Sequence, residues 1–437
     1  MSSLKVTGAA RIMIDAETER GSEGSAGELY ITEGRVDAAP APDAEVIDAS
    51  GCVVTPGLIN AHHHLMQSAF RTLPGTRGVV MSEWLATMAA AYQRVGITPE
   101  LCGAAAAVGV AEGLLSGVTT LADHHLNWPA ASTPACTVEF ARAVTGAARG
   151  LGARLVFVRG SARDEPHSAA ESAAAIAHAL VPVGGVTPDG MLQVAVGPAG
   201  VHSDTEETFR LLGEVAHEAG LRRRTQSNEQ ADVAVAAQKY GKRPLALLEE
   251  WGWLDGDVTM AHLCDVTTEE ISALAEHGVS ATHAPGCDVP MGWGVAPVVQ
   301  LTESGVVVGM GTSGGGSNDA GHLLADARLA MQVSAIRGRQ LSAREVLGMA
   351  TSGGATGLGR PDLGHLRDGA AGDFCIWDVS GVADAGVSDP LAGLLWANPG
   401  RRPRDVFVNG RRVVKDYRLV DVDEQELVAG LDTVLSG

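Results

Sequence analysis

Residues 192–227 read LQVAVGPAGVHSDTEETFRLLGEVAHEAGLRRRTQS. An apolar run at 192–198 leads into TEETFRLLGEVAHEAG, which starts at a Thr cap and ends in Gly, and a second extended run follows at 221–227. The segment therefore reads as one strand–helix–strand unit. The same unit recurs on both sides. Upstream lie CVVTPGLI (52–59), GVTTLAD (117–123) and ARLVFVRG (153–160); downstream lie DVTMAHL (257–263), GVSATHAP (278–285) and VVVGMGTS (306–313). TTEEISALAEHG, between the sixth and seventh runs, carries the same Thr and Gly punctuation. Eight strands alternating with helices predict an α/β fold, a (β/α)₈ TIM barrel.

The two ends read differently. Residues 1–56 and 365–437 are rich in Val, Asp and Gly, and the second stretch holds Asn409-Gly410 between alternating apolar runs. That dipeptide is a strong hairpin signal. Two all-β ends flanking a barrel predict one small discontinuous β-sandwich domain, with 57–364 as the catalytic barrel.

Composition limits the partners. The 437 residues include 52 acidic and 32 basic side chains, a net charge of −20. A chain this acidic repels phosphate backbones and anionic lipid, which argues against nucleic acid and membrane surfaces and leaves small molecules or proteins as substrates. Hydrophobic residues make up 45%, enough for a large core. The six cysteines show no CxxC pair and read as reduced thiols. The first residues lack the apolar stretch of a signal peptide, so the expected compartment is the cytoplasm.

In a barrel, catalytic groups come from the C-terminal ends of the strands. Here the first strand runs into Asn60-Ala61-His62-His63-His64, and His62 and His64, two apart on an extended segment, face one side. Two imidazoles so placed can share a metal ion, although such a pair also occurs as plain structure. Strand six ends in His262, strand seven in His283, and Glu229 follows strand five. Such a group at the ends of different strands is hard to explain by packing.

The chain resembles the amidohydrolase superfamily. The resemblance rests on the Val-Val-Thr-Pro-Gly-Leu-Ile-Asn-Ala-His-His-His opening, Gly117-Val118-Thr119-Thr120, His262, His283 and the closing block LGRPDLGHLRDGAAGDFCIWD. PMGWGVAP (290–297) and GTSGGGSNDAGHLLADARLA (311–330) are most similar to its triazine hydrolase and guanine/8-oxoguanine deaminase branch. The resemblance implies a barrel with a β-sandwich, a homodimer, and one divalent metal, usually zinc and sometimes iron. It also implies hydrolytic attack by metal-bound water on an aromatic N-heterocycle, with loss of ammonia, amine or halide. Carried over by position, His62, His64 and His262 match metal ligands, Glu229 the proton shuttle, and His283 the histidine that polarises the substrate.

Two positions depart from the pattern. Where the family has a metal-binding His on strand five, this chain has Gln226, preceded by Arg222-Arg223-Arg224. An amide oxygen is a poorer zinc ligand than imidazole. Arg224 shares the inward side with Gln226. Three readings of it stand: repulsion of the metal, pairing with a barrel carboxylate one layer deeper, or binding of an anionic substrate group. On strand eight, Ser313 takes the place of the usual metal-binding Asp. Three histidines and a water still make a catalytic zinc set, of lower affinity, and a weak or empty centre is the alternative.

Further candidates for substrate contact are Trp84 and Trp293, as stacking platforms, and His125 and His202 near the active rim. His124 is open to the same reading. Ser317-Asn318-Asp319 reads as a helix N-cap, and Gly314-Gly315-Gly316 as loop flexibility. The leading function is a metal-dependent hydrolase of a cyclic C–N or C–Cl bond. Its rivals are non-hydrolytic acid–base chemistry by Glu229 and His283, such as cyclisation or elimination, and small-molecule binding without catalysis.

Overall fold

Eight parallel strands form the frame: β1 (Leu58–His64), β2 (Val118–His125), β3 (Arg154–Ser161), β4 (Leu192–Pro198), β5 (Arg222–Ser227), β6 (Val258–His262), β7 (Ser280–His283) and β8 (Val308–Met310). They belong to a computed structural model that describes residues 3–21, 27–129, 132–398 and 400–436. Each strand pairs in parallel with the next in sequence. Past β8 the chain breaks at Gly311-Thr312, and Ser313–Gly314 then pairs with His63 and His64 of β1. The eighth strand thus closes the barrel in two pieces.

Strands buried on both faces need continuous apolar runs rather than alternation, and β1, β2 and β3 are buried along their whole length. The barrel interior is a packed core of small and branched side chains, among them Ile59, Ala61, Ala122, Val156, Val158 and Ala195. The helices follow their punctuation. The helix Glu206–Ala219 ends on Gly220 in the left-handed region (φ 67°), and Thr267 forms a capping box with Glu270.

The first predicted strand divides. Cys52–Pro56 leaves the barrel and joins a sheet built from both termini, and only from Leu58 does the chain run in the barrel. Between the two, Gly57 lies so close to Thr119 that any Cβ would collide with that side chain. In the terminal sheet, Phe374–Asp378 pairs antiparallel with Cys52–Pro56, which pairs in parallel with Arg11–Met13. A second, four-stranded sheet is N-terminal only. Asn409 and Gly410, at φ 52° and 70°, turn the hairpin between Asp405–Val408 and Arg411–Lys415 as expected. The C-terminal end is not all-β, however. It also forms the helices Pro390–Trp396 and Glu424–Ser436, and the latter packs on the barrel helix α2 (Pro99–Leu115).

Sheet and barrel are tied by a buried ion pair, in which Arg154 of β3 donates from Nε and Nη2 to Asp373 at 2.7 and 3.0 Å. Among the described residues no single helix is long and apolar enough to cross a membrane.

Candidate active site

The ends of β1, β2, β5 and β6 bring four imidazoles and one carboxylate together. His62 lies 4.9 Å from His64 and 5.2 Å from His262 between ring centroids. His64 donates from Nδ1 to the His124 carbonyl at 2.7 Å, which leaves its Nε2 lone pair free. His262 donates from Nδ1 to Asp288 Oδ1 at 2.6 Å, and its Nε2 faces Gln226 Oε1 at 3.0 Å. A ligand histidine oriented by a carboxylate on its other nitrogen is the usual arrangement around a metal. Cys287 and Asp288 stand close to His262 as further potential ligand atoms, and burial pushes the Cys287 thiol up.

The electrostatics separate these groups. Burial, then neighbouring His64 and His262, holds His62 well below the ordinary imidazole value, so it is neutral. Burial also lowers His64. Burial opposes charge on His262 as well, but Asp288 and Glu229 outweigh it and raise the ring. Burial raises Glu229, against the pull of His262 and His202, so its carboxyl keeps a proton more readily than a surface glutamate. Glu229 is 1% exposed, with Oε1 3.7 Å from His262 Nε2.

Several buried polar atoms here have no hydrogen-bond partner among the described residues: His62 Nε2, both Glu229 oxygens, His283 Nδ1 and Trp293 Nε1. Folded proteins seldom leave buried polar atoms unpaired. A cluster of them beside a cavity marks a place for a ligand. Three imidazole nitrogens and an amide oxygen also suit one divalent ion of borderline softness. The donor set fits the metal that the resemblance implies.

The cavity above, about 990 Å³ including its mouth, is walled by His64, Gln226, Glu229, His202, Ser313 and Trp293. Its roof is the helix α1 (Met81–Val95), which contributes Met81, Trp84, Leu85 and Met88. His62, His262 and His283 lie behind this wall. His283 is buried 3.9 Å from Asp288, and burial lowers it to about 4. His202 is held by Asp232, which accepts from its ring Nδ1 and its backbone N–H, each at 3.1 Å. Burial disfavours charge on that ring, but the Asp232 bond and Glu229 raise it to about 9.

Three sequence expectations fail, and Arg224 loses two of its three readings. His125 does not reach the cavity. It ends β2 one residue past His124, so strand alternation turns it outward, against Trp128 and Phe157 at 4.6 and 5.6 Å. His124 stays inside, stacked on His64. Arg224 is likewise absent from the cavity wall, and among the described residues it pairs with no carboxylate; it donates to the Ala61 carbonyl instead. Ser317-Asn318-Asp319 is not an N-cap, since His322 caps the following helix. The glycine run serves close approach rather than flexibility: Gly314, Gly315 and Gly316 all pack on Gln67.

Gln67 itself escaped the sequence reading. It lines the cavity and accepts from the Gly316 backbone N–H at 3.1 Å. Its signal was position, three residues after His64. The roof helix escaped as well, although Met81, Trp84, Leu85, Met88 and Tyr92 carry helical spacing.

Residues 53–413 match the Amidohydrolase family. The 8-oxoguanine deaminase of Pseudomonas aeruginosa is 32% identical over 426 residues, with 93% of each chain covered. A 5-methylthioadenosine/S-adenosylhomocysteine deaminase of Archaeoglobus fulgidus is 29% identical, with 87% of each covered. Among solved structures, the atrazine chlorohydrolase of Arthrobacter aurescens TC1 complexed with zinc superposes with a TM-score of 0.90 at 32% identity, covering 99% of this chain and all of that one.

Proposed function

The chain belongs to the amidohydrolase family, and from that premise we propose a zinc-dependent hydrolase that removes ammonia, an amine or a halide from a carbon of a small N-heterocycle. The observation that carries this reading is the pair of Glu229 oxygens without a hydrogen-bond partner, buried against the cavity 3.7 Å from His262, together with the partnerless His62 Nε2. A carboxyl kept this dry and unpaired is suited to exchanging protons with a bound molecule. The names of the relatives, which act on oxopurine, adenosine-type and triazine rings, support the heterocycle.

Each residue then has a task. His62, His64 and His262 would hold the ion, with Gln226 as a weak fourth ligand. When bound, a zinc ion supplies Lewis acidity and brings the pKa of water from 15.7 to around 7. Glu229 carries a proton to the ring nitrogen or the leaving group. Trp84 and Trp293 flank a planar ring. His202, fixed by Asp232 through Nδ1, presents Nε2–H to a substrate acceptor, while Ser313 offers a hydroxyl at the floor. His283, its unpartnered Nδ1 3.9 Å from Asp288, polarises the reacting edge as the ring settles.

A panel of aminated and chlorinated pyrimidines, purines, pterins and s-triazines tests the reading, assayed for released ammonia and chloride with Glu229→Gln as control. Release from at least one member, lost in the control, is expected. Cyclised or eliminated product, formed without uptake of water, would favour the non-hydrolytic reading instead.

A further inference from the structure

Five arginines are buried in the described part of the chain: Arg154, Arg159, Arg224, Arg360 and Arg401. Four have a carboxylate. Arg154 holds Asp373, Arg159 holds Asp164, Arg360 holds Asp362 and Arg401 holds Asp384. This is the ordinary rule that a buried charge is paired. Arg224 alone departs from it. It is 3% exposed, no carboxylate lies within ion-pairing distance among the described residues, and its Nη1 has no hydrogen-bond partner. Its one side-chain bond runs from Nη2 to the carbonyl of Ala61, the residue that leads into His62.

A guanidinium keeps its proton at neutral pH, so this is a fixed positive charge. It sits on the same face of β5 as Gln226, two residues before it, and against the peptide that positions His62. The donors of the proposed centre, three imidazoles and an amide, bring no negative charge. Of the nearby carboxylates, Asp288 is engaged with His262, and Glu229 lies 3.7 Å from the same ring. A divalent cation entering here meets a like charge inside a dry interior, where screening is weak.

We propose that Arg224 is an affinity-setting residue, a built-in cation that keeps the histidine centre a weak and readily exchanged zinc site. The inference rests on the metal reading above. Its test is the zinc dissociation constant of chelator-stripped protein, measured by competition with a chromophoric chelator. Arg224→Gln keeps a donor for the Ala61 carbonyl and removes the charge, so it should bind zinc tighter by about tenfold or more. Arg224→Lys keeps the charge and should remain as weak as wild type. If Arg224→Gln does not fold, Arg224→Met is read in the same assay with the same expectation. Equal zinc affinity with and without the charge overturns this inference and leaves the zinc-dependent hydrolase standing. No zinc binding by any of the proteins removes the zinc centre itself, and this inference with it.

Discussion

Glu229 bears the largest share of the proposed chemistry. Glu229→Gln preserves shape and removes proton exchange, so turnover should fall by ~10²–10⁴ while substrate affinity changes little. Steady-state kinetics beside a binding isotherm check this, and wild-type turnover in the variant would strip the residue of its role. Gln226→His replaces an amide oxygen by an imidazole nitrogen, and zinc affinity should rise in a chelator competition assay. Unchanged affinity would mean that position 226 does not face the ion. At this scale the sequence was informative where spacing alone decides direction. His62 and His64, two apart on a strand, do point together. His125 was illegible because β2 runs two residues past the apparent end of its apolar run, which hid the face it takes. Arg224 was left open among three readings because its partner, a backbone carbonyl on another strand, leaves no trace in composition.

At the level of elements, the roof decides access to the cavity. The Gly316 carbonyl accepts from Trp84 Nε1 at 2.9 Å and from Arg77 at 3.2 Å, while Asp319 pairs with Arg77 and accepts the Thr72 N–H. These bonds latch α1 and its approach to the loop after strand eight. Asp319→Ala cuts one side of the latch. An ion pair this exposed is worth ~0.5–1 kcal/mol, so KM should rise about two- to fivefold with kcat nearly unchanged. An equal fall in kcat with constant KM would assign Asp319 to the chemistry instead. The barrel strands were readable because each carries an apolar run between turn signals. The break at Gly57 was not, since Cys52–Pro56 and Leu58–His64 are both fully buried and no change of period marks the change of sheet.

At the scale of the whole molecule, the fold depends on the two termini meeting beside the barrel. Asp373 pairs with Arg154 and also accepts the Asn409 N–H at 2.7 Å, so it joins barrel, terminal sheet and hairpin. Asp373→Ala leaves a buried guanidinium uncompensated and should lower stability by ~3–5 kcal/mol in denaturant unfolding. A loss under ~1 kcal/mol, the range of a surface pair, would show that the junction is not held there. The pairing of both ends was foreseeable from their shared β-rich composition, whereas the C-terminal helices were not, because their cores are completed by barrel helices distant in sequence. The central claim, a zinc-dependent hydrolase, is tested most directly by measuring metal content and hydrolytic activity together on one sample as it is stripped with chelator and then titrated with zinc. The account predicts activity that vanishes with the metal and returns in proportion to bound zinc, saturating near one ion per chain. Full activity in protein with no bound metal would contradict it.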